Sequence, residues 1–255
     1  MSLPSVVRIV EVGPRDGLQL VEPAVPTDVK VELVEAVVAA GIREVEGGAF
    51  VSADAMPAMA DTDRVVRRLA GRLPFTCTPL VPNARGAGRA IDAGCDALRM
   101  VFAVTDAANR RNVRRTVAES LEECEAVARL AGGRRLDVIL GMSFGCPLTG
   151  PVDPSHVVAL VGRAFDAGAQ AAIVADSIGV AGPRQVERLI TMLRAQWPDR
   201  HIGLHLHDTR GLGIANAFAA LRAGVSSLDG ALGGLGAAVQ GATAGHSGNV
   251  ATEDL

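Results

Sequence analysis

Ala167-Gly168-Ala169-Gln170-Ala171-Ala172-Ile173-Val174-Ala175-Asp176 carries three signals in succession: an Ala-Gly helix stop, a short apolar strand, and a carboxylate at the strand's end. Glycine enters the left-handed conformation that ends a helix without steric cost, so Ala-Gly followed by an apolar run marks a helix-to-strand joint. The same joint recurs at Ala40-Gly41, Ala93-Gly94 and Ala223-Gly224. Helix-period segments such as 29–40 and 61–69 alternate with β-branched runs, which is the rhythm of β-α-β units. Strands are expected over 6–12, 44–46, 75–79, 97–103, 136–142, 171–175, 202–206 and 226–232, eight in all. Eight repeats in 255 residues point to the α/β class and to a (β/α)8 TIM barrel, with one catalytic domain over 1–255. Ala251-Thr252-Glu253-Asp254-Leu255 reads as the first turn of the eighth helix, so that helix is expected to be largely missing from this chain.

Composition narrows the partners. The net charge is −3 and no dense basic run occurs, so no nucleic-acid footprint is expected and small molecules are the natural ligands. No apolar stretch approaches the roughly 18 residues that span a bilayer, and the N-terminus lacks a charged lead before an apolar core. The expectation is a cytoplasmic protein with no membrane association. Cys77, Cys95, Cys124 and Cys146 are widely spaced, which fits buried, reduced thiols rather than disulfides or a thiolate zinc cage.

The chemistry gathers at strand ends. Asp16, Glu46, Asp176, His205, His207 and Asn249 all fall at or just past the C-terminal ends of different expected strands, the face on which barrel enzymes place their active sites. In His205-Leu206-His207 the period of two turns both imidazoles to one face. With Asp16 in Gly13-Pro14-Arg15-Asp16-Gly17 and Asn249 in Ser247-Gly248-Asn249, they form a nitrogen and oxygen donor set suited to a divalent ion such as Mg, Mn or Zn. Alone, a His-X-His pair is more often two ordinary imidazoles, Arg15-Asp16 can be an ion pair closing a turn, and Asp176 can be a cap. Cys146, His156 and His201 read as structural.

Six stretches spread from end to end raise the site reading above that background: 11–19, Val45-Glu46 with Phe50-Val51-Ser52, Gly145-Cys146-Pro147, Asp176-Ser177-Ile178-Gly179, 205–209 and 248–255. On them the chain resembles the hydroxymethylglutaryl-CoA lyase family, within a superfamily that includes isopropylmalate, homocitrate and citramalate synthases. The resemblance implies a metal-dependent lyase that cleaves a 3-hydroxyacyl-CoA by retro-aldol chemistry to acetyl-CoA and a keto acid or ketone. It implies Asp16, His205, His207 and Asn249 as metal ligands and Arg15 as the group that stabilises the enolate. His205 or Asp16 is the implied base, and Glu46 and Asp176 are the implied supporting carboxylates. Gln19, Arg111, Asn112 and Arg210 are the implied substrate contacts, and pairing into homodimers is expected. Two alternatives stay open: another metal-dependent aldolase or Claisen-type synthase of the superfamily, and a catalytically silent acyl-CoA-binding paralogue, against which the retention of Arg15 argues.

Three departures stand out. The family's loop cysteine is missing from the glycine-rich loop 233–248, where Ala238 or Gln240 takes its place according to how the loop is aligned. His246 is the residue of that loop able to handle a proton. Gly47-Gly48-Ala49 replaces the hydroxyl-bearing residues usual after the strand-two glutamate, and Ile173 replaces a small hydroxylic residue.

Overall fold

The computed structural model describes residues 3–236 and 248–255. Nine strand segments form one parallel sheet: β1 (Arg8–Glu11), β2 (Glu44–Val45), β3 (Thr76–Cys77), β4 (Leu80–Val81), β5 (Ala97–Ala103), β6 (Arg135–Gly141), β7 (Ala171–Asp176), β8 (His201–Leu206) and β9 (Ser227–Gly230). Their order is β3-β2-β1-β9-β8-β7-β6-β5-β4. The two terminal segments, β3 and β4, are successive pieces of one stretch, parted at Thr78-Pro79, because proline has no N–H to give to the ladder. Across the gap Thr78 N still donates to Val45 O at 3.0 Å and Arg99 N to Pro79 O at 3.1 Å, so the sheet closes into a ring of eight staves. All eight expected strands are present, the third one split.

The helices follow the strands: α1 (Thr27–Ala39), α2 (Thr62–Leu69), α3 (Ala84–Ala93), α4 (Asp106–Val113), α5 (Val117–Leu130), α6 (Pro154–Asp166), α7 (Pro183–Gln196) and α8 (Gly213–Arg222). β5 is followed by two of them, because Arg114 turns left-handed and Thr116 opens a new helix with a capping box to Glu119. The four glycines of the repeated joint, Gly41, Gly94, Gly168 and Gly224, all have positive φ, between 87° and 109°. After β9 the described residues carry only short turns, Leu232–Gly234 and Thr252–Asp254, where the eighth helix was expected to be largely missing. No described helix is long and apolar enough to cross a membrane.

Alternation along the strands divides the sheet into two faces. Leu136, Val138 and Leu140 of β6 pack outward with Leu98, Met100 and Phe102 of β5 into the core under the helices. Asp137 and Ile139 point the other way, into the barrel. At its N-terminal end the interior holds an ion cluster: Arg8 Nη1 to Glu44 Oε2 at 3.0 Å, Arg135 Nε to Asp137 Oδ1 at 2.8 Å, and Arg135 to Glu44. Beside Asp137, starting from Ala171 in register with it, lies an apolar cluster of Ile139, Ala171, Ile173 and Ala175. Ionisable residues beyond that apolar cluster stand at the C-terminal mouth.

Candidate active site

Leaving β1, the chain makes one wide helical turn, Gly13–Gly17, in which Asp16 N donates to Val12 O at 2.7 Å and Gly17 N reaches the same carbonyl at 3.4 Å. The five residues of the turn are buried. Gly13 is required there, since a Cβ would strike the Glu11 carboxylate that accepts its N–H at 2.7 Å. Glu11 also accepts from Leu232 N at 3.1 Å and Thr252 Oγ1 at 2.6 Å, so one buried carboxylate ties the turn to the last residues of the chain. Turns of this wide type recur at functional sites because they re-aim side chains. Here Arg15 and Asp16 are turned into the mouth.

Asp16 collects donors from three directions. Its Oδ1 accepts from Arg15 Nη1 at 2.6 Å and Gln19 Nε2 at 2.8 Å, and its Oδ2 accepts from Asn249 Nδ2 at 2.7 Å. His207 Nε2 stands 3.8 Å from the same Oδ2. Arg15 Nη2 reaches across to Glu46 Oε2 at 2.8 Å, which makes Arg15 the link between two buried carboxylates. His205 and His207 lie on one face as the period of two requires, with ring centroids 5.2 Å apart. His207 forms a bridge with Asn249, and this pairing brings the end of the chain onto the mouth.

The charges account for the ionisation states. Burial pushes Asp16 upward, but Arg15, His205, His207 and the Asn249 hydrogen bond outweigh it and hold the carboxyl at about 2. Burial, together with the neighbouring His205, holds His207 down to about 4, so its imidazole is neutral. His205 is moved the other way: burial opposes the cation, yet the hydrogen bond and charge of Asp229 raise it. Glu46 and Asp176 are both raised by burial.

Ligand atoms of Asp16, His205 and His207 all lie within 4.8 Å of one another, and the three residues are buried. Asn249 spends its Nδ2 on Asp16 and on Leu235 O at 2.9 Å, and its buried Oδ1 has no partner; His207 Nδ1 is likewise unpartnered. Unsatisfied buried polar atoms are rare, and an unplaced ion is one of the explanations they call for. Two imidazoles, a carboxylate and an amide oxygen are a donor set that suits a divalent ion.

Other expected residues fall elsewhere. Asp176 closes β7; its carboxylate accepts from Val180 N at 3.0 Å and Ala181 N at 2.9 Å and so shapes the following loop, while its backbone carbonyl accepts from His207 N at 3.2 Å. Arg210 is exposed and donates to Val180 O at 3.1 Å. Arg111 and Asn112 are exposed on α4, with no hydrogen bond to the cluster. His156 bonds Val104 O at 2.8 Å, His201 bonds Ser227 Oγ at 2.9 Å and Cys146 is buried against Thr105, in keeping with their structural reading. Ala238, Gln240 and His246 lie outside the described residues.

Sequence reading missed Asp229 and Arg99. Asp229 Oδ2 sits 3.1 Å from His205 Nδ1, and Arg99 grips both Asp229 oxygens at 3.0 and 3.4 Å. A signal was available: a charged residue in the middle of each strand, at Leu98-Arg99-Met100 and Leu228-Asp229-Gly230, must face the barrel interior and needs a partner there.

Comparison with known proteins gives the family. The HMGL-like family model matches residues 6–255. The chain is 42% identical to the (R)-citramalyl-CoA lyase of Chloroflexus aurantiacus, over 98% of this chain and 82% of that protein. The crystal structure of the Bacillus subtilis HMG-CoA lyase superposes with a TM-score of 0.95 at 34% identity, covering 100% of this chain and 85% of that one. An HMG-CoA lyase from Acinetobacter baumannii, in complex with coenzyme A and 3-methylmalate, gives 0.91 at 34% identity, over 98% and 82% of the two chains. With matches that run the length of the chain in both sequence and fold, the protein belongs to the HMGL-like family of carbon–carbon lyases.

Proposed function

We propose that the chain is a divalent-metal-dependent lyase that cleaves a 3-hydroxyacyl-CoA to acetyl-CoA and a keto acid or ketone. One observation carries the reading: Asp16, His205 and His207 converge beside the unpartnered Asn249 Oδ1, with the Arg15 guanidinium hydrogen-bonded to the edge of the set. The CoA thioester as substrate is supported by the names of the relatives, including the one with coenzyme A bound.

Asp16, His205, His207 and Asn249 would hold the ion, and a bound divalent cation supplies Lewis-acid polarisation of the substrate's hydroxyl. Retro-aldol cleavage takes the proton from that hydroxyl, breaks the adjacent carbon–carbon bond and leaves the electron pair on the thioester as an enolate, which takes up one proton at carbon to give acetyl-CoA. Arg15 is fixed by Asp16 and Glu46 with its guanidinium at the mouth, where it stabilises the charge that develops on the thioester oxygen. Of the two candidate bases Asp16 is the weaker, since its neighbours hold it at about 2. We assign the proton to His205 at Nε2, the nitrogen that does not face Asp229; one lone pair cannot hold the ion and the proton together, so Asp16, His207 and Asn249 would keep the ion while His205 takes the proton. Asp16 also fixes Arg15, while His207 and Asn249 serve as ligands alone.

The test is turnover after removal of metal by a chelator, with a panel that includes hydroxymethylglutaryl-CoA, citramalyl-CoA and free 2-keto and 3-hydroxy acids. Acetyl-CoA release that returns with Mg, Mn or Zn is the expected result. Release unaffected by chelation overturns the metal reading, and cleavage of free acids without thioesters favours the aldolase alternative.

A further inference from the structure

We infer that Arg99 and Asp229, which lie inside the barrel beneath the mouth, are positioning residues that fix His205 as the Nδ1–H tautomer and so keep a lone pair on Nε2. This builds on the proposed metal centre, because His205 can ligate the ion, or in its place accept the proton, only through that lone pair.

Asp229 is buried, with a fully inaccessible side chain, and the partners of its carboxylate are Arg99 and His205. Arg99 Nη1 and His205 Nδ1 share one oxygen, Oδ2, at 3.0 and 3.1 Å, while Arg99 Nη2 reaches Oδ1 at 3.4 Å. A carboxylate gripped by a guanidinium fork offers His205 an acceptor and no donor, so the hydrogen on this edge of the ring must sit on Nδ1. Neutral imidazole carries one N–H, and Nε2 is left free. Carboxylate–histidine–metal arrangements set ring orientation and ligand basicity in this way. What is specific to this chain is the third member. Arg99 is almost wholly buried and arrives from β5, on the other side of the barrel from β9 in the ring order. It occupies a strand position that apolar residues fill in the neighbouring register, Leu98 and Met100.

A purely structural role for Arg99, as the cation that balances Glu44, Glu46, Asp137 and Asp229, makes a different prediction, so the two are separable. The test uses Arg99→Met, Arg99→Lys and Asp229→Asn, with Arg135→Met as a control that removes an arginine paired with Glu44 and Asp137 but not with Asp229. Two readouts are taken: the neutral His205 tautomer in metal-free protein, from long-range 1H–15N correlation at alkaline pH because Asp229 favours the imidazolium, and Mn(II) affinity by calorimetry. The expected result is Nδ1–H in the parent and in Arg135→Met, a shift towards Nε2–H in Arg99→Met and Asp229→Asn, and a 10-fold to 100-fold loss of Mn(II) affinity in those two. Arg99→Lys keeps the charge without the fork and should fall between them. An unchanged tautomer with unchanged Mn(II) affinity in Arg99→Met and Asp229→Asn overturns the inference. A parent that binds no Mn(II), with the tautomer shift still seen in Arg99→Met and Asp229→Asn, defeats the metal reading and leaves this one standing. Should Arg99→Met fail to fold, Asp229→Asn and Arg99→Lys decide the question alone.

Discussion

Replacing Arg15 separates what the residue does for the fold from what it does for the reaction. In Arg15→Met the guanidinium leaves two carboxylates behind, Asp16 at 2.6 Å and Glu46 at 2.8 Å. Glu46 has a wholly inaccessible side chain and no other charged contact within salt-bridge distance among the described residues. Breaking a buried pair from one side costs about 3–5 kcal/mol, because the remaining charge has neither water nor partner. For a chain of this size that is a loss of roughly 10 °C in Tm. The double replacement Arg15→Met with Glu46→Gln removes the orphaned charge and should recover most of the stability. Catalysis should not recover with it. Losing one donor to a developing oxyanion costs about 3–4 kcal/mol in the transition state, or 100-fold to 1000-fold in kcat. The assay is acetyl-CoA release below the variants' melting temperatures, with kcat and KM fitted separately. A defect confined to KM, or a double variant that regains turnover along with stability, refutes the enolate role and leaves Arg15 as an anchor.

Three further outcomes are expected. His207 is held at about 4 in the folded protein against 6.5 for the free side chain, so between these values the unfolded chain binds a proton that the folded chain refuses. Stability of the metal-free protein must then fall as the pH drops through this window, by up to about 3 kcal/mol from this residue, and urea titrations in chelator at both ends should show a smaller fall in His207→Gln; equal falls in the two proteins exclude the linkage. Saturation with the active divalent cation at 100 times its Kd should stabilise the protein by about 2.7 kcal/mol, and a melting temperature that does not move with metal concentration argues against a site in the folded state. All four cysteines are buried and none hydrogen-bonds to Asp16, His205 or His207; burial raises Cys95 to about 11 and Cys124 to about 12, whereas at Cys146 hydrogen bonds from Thr105 and Thr149 outweigh burial and lower the thiol, so alkylation is expected at Cys146 first and should leave turnover unchanged; cysteine introduced at Ala238 or Gln240 should raise cleavage of hydroxymethylglutaryl-CoA, and fast native cleavage abolished by a thiol reagent would refute the loop comparison.

The amino-acid sequence by itself determined the period of every stave and the joints between them. Gly41, Gly94, Gly168 and Gly224 announce the helix ends because a left-handed residue is a local requirement, met without reference to the rest of the chain. The pairing of His205 with His207 on one face is equally local, since side-chain alternation is built into a strand. Placement of Asp16, Glu46 and Asp176 at strand ends was legible for the same reason, but only closure of the ring decided what each carboxylate touches. Asp16 meets Asn249 across 233 positions of sequence, and Arg99 meets Asp229 across 130. Those contacts depend on strand order and register, which no window of sequence contains. Tertiary structure also separated residues that looked alike: Asp176 went to the backbone of its own loop, Arg210 joined it there, and Arg111 and Asn112 remained on the outside of α4. A buried charge is stable only where the closed barrel supplies its counter-charge, and so the Arg99–Asp229–His205 line became visible only once the strands were arranged in space.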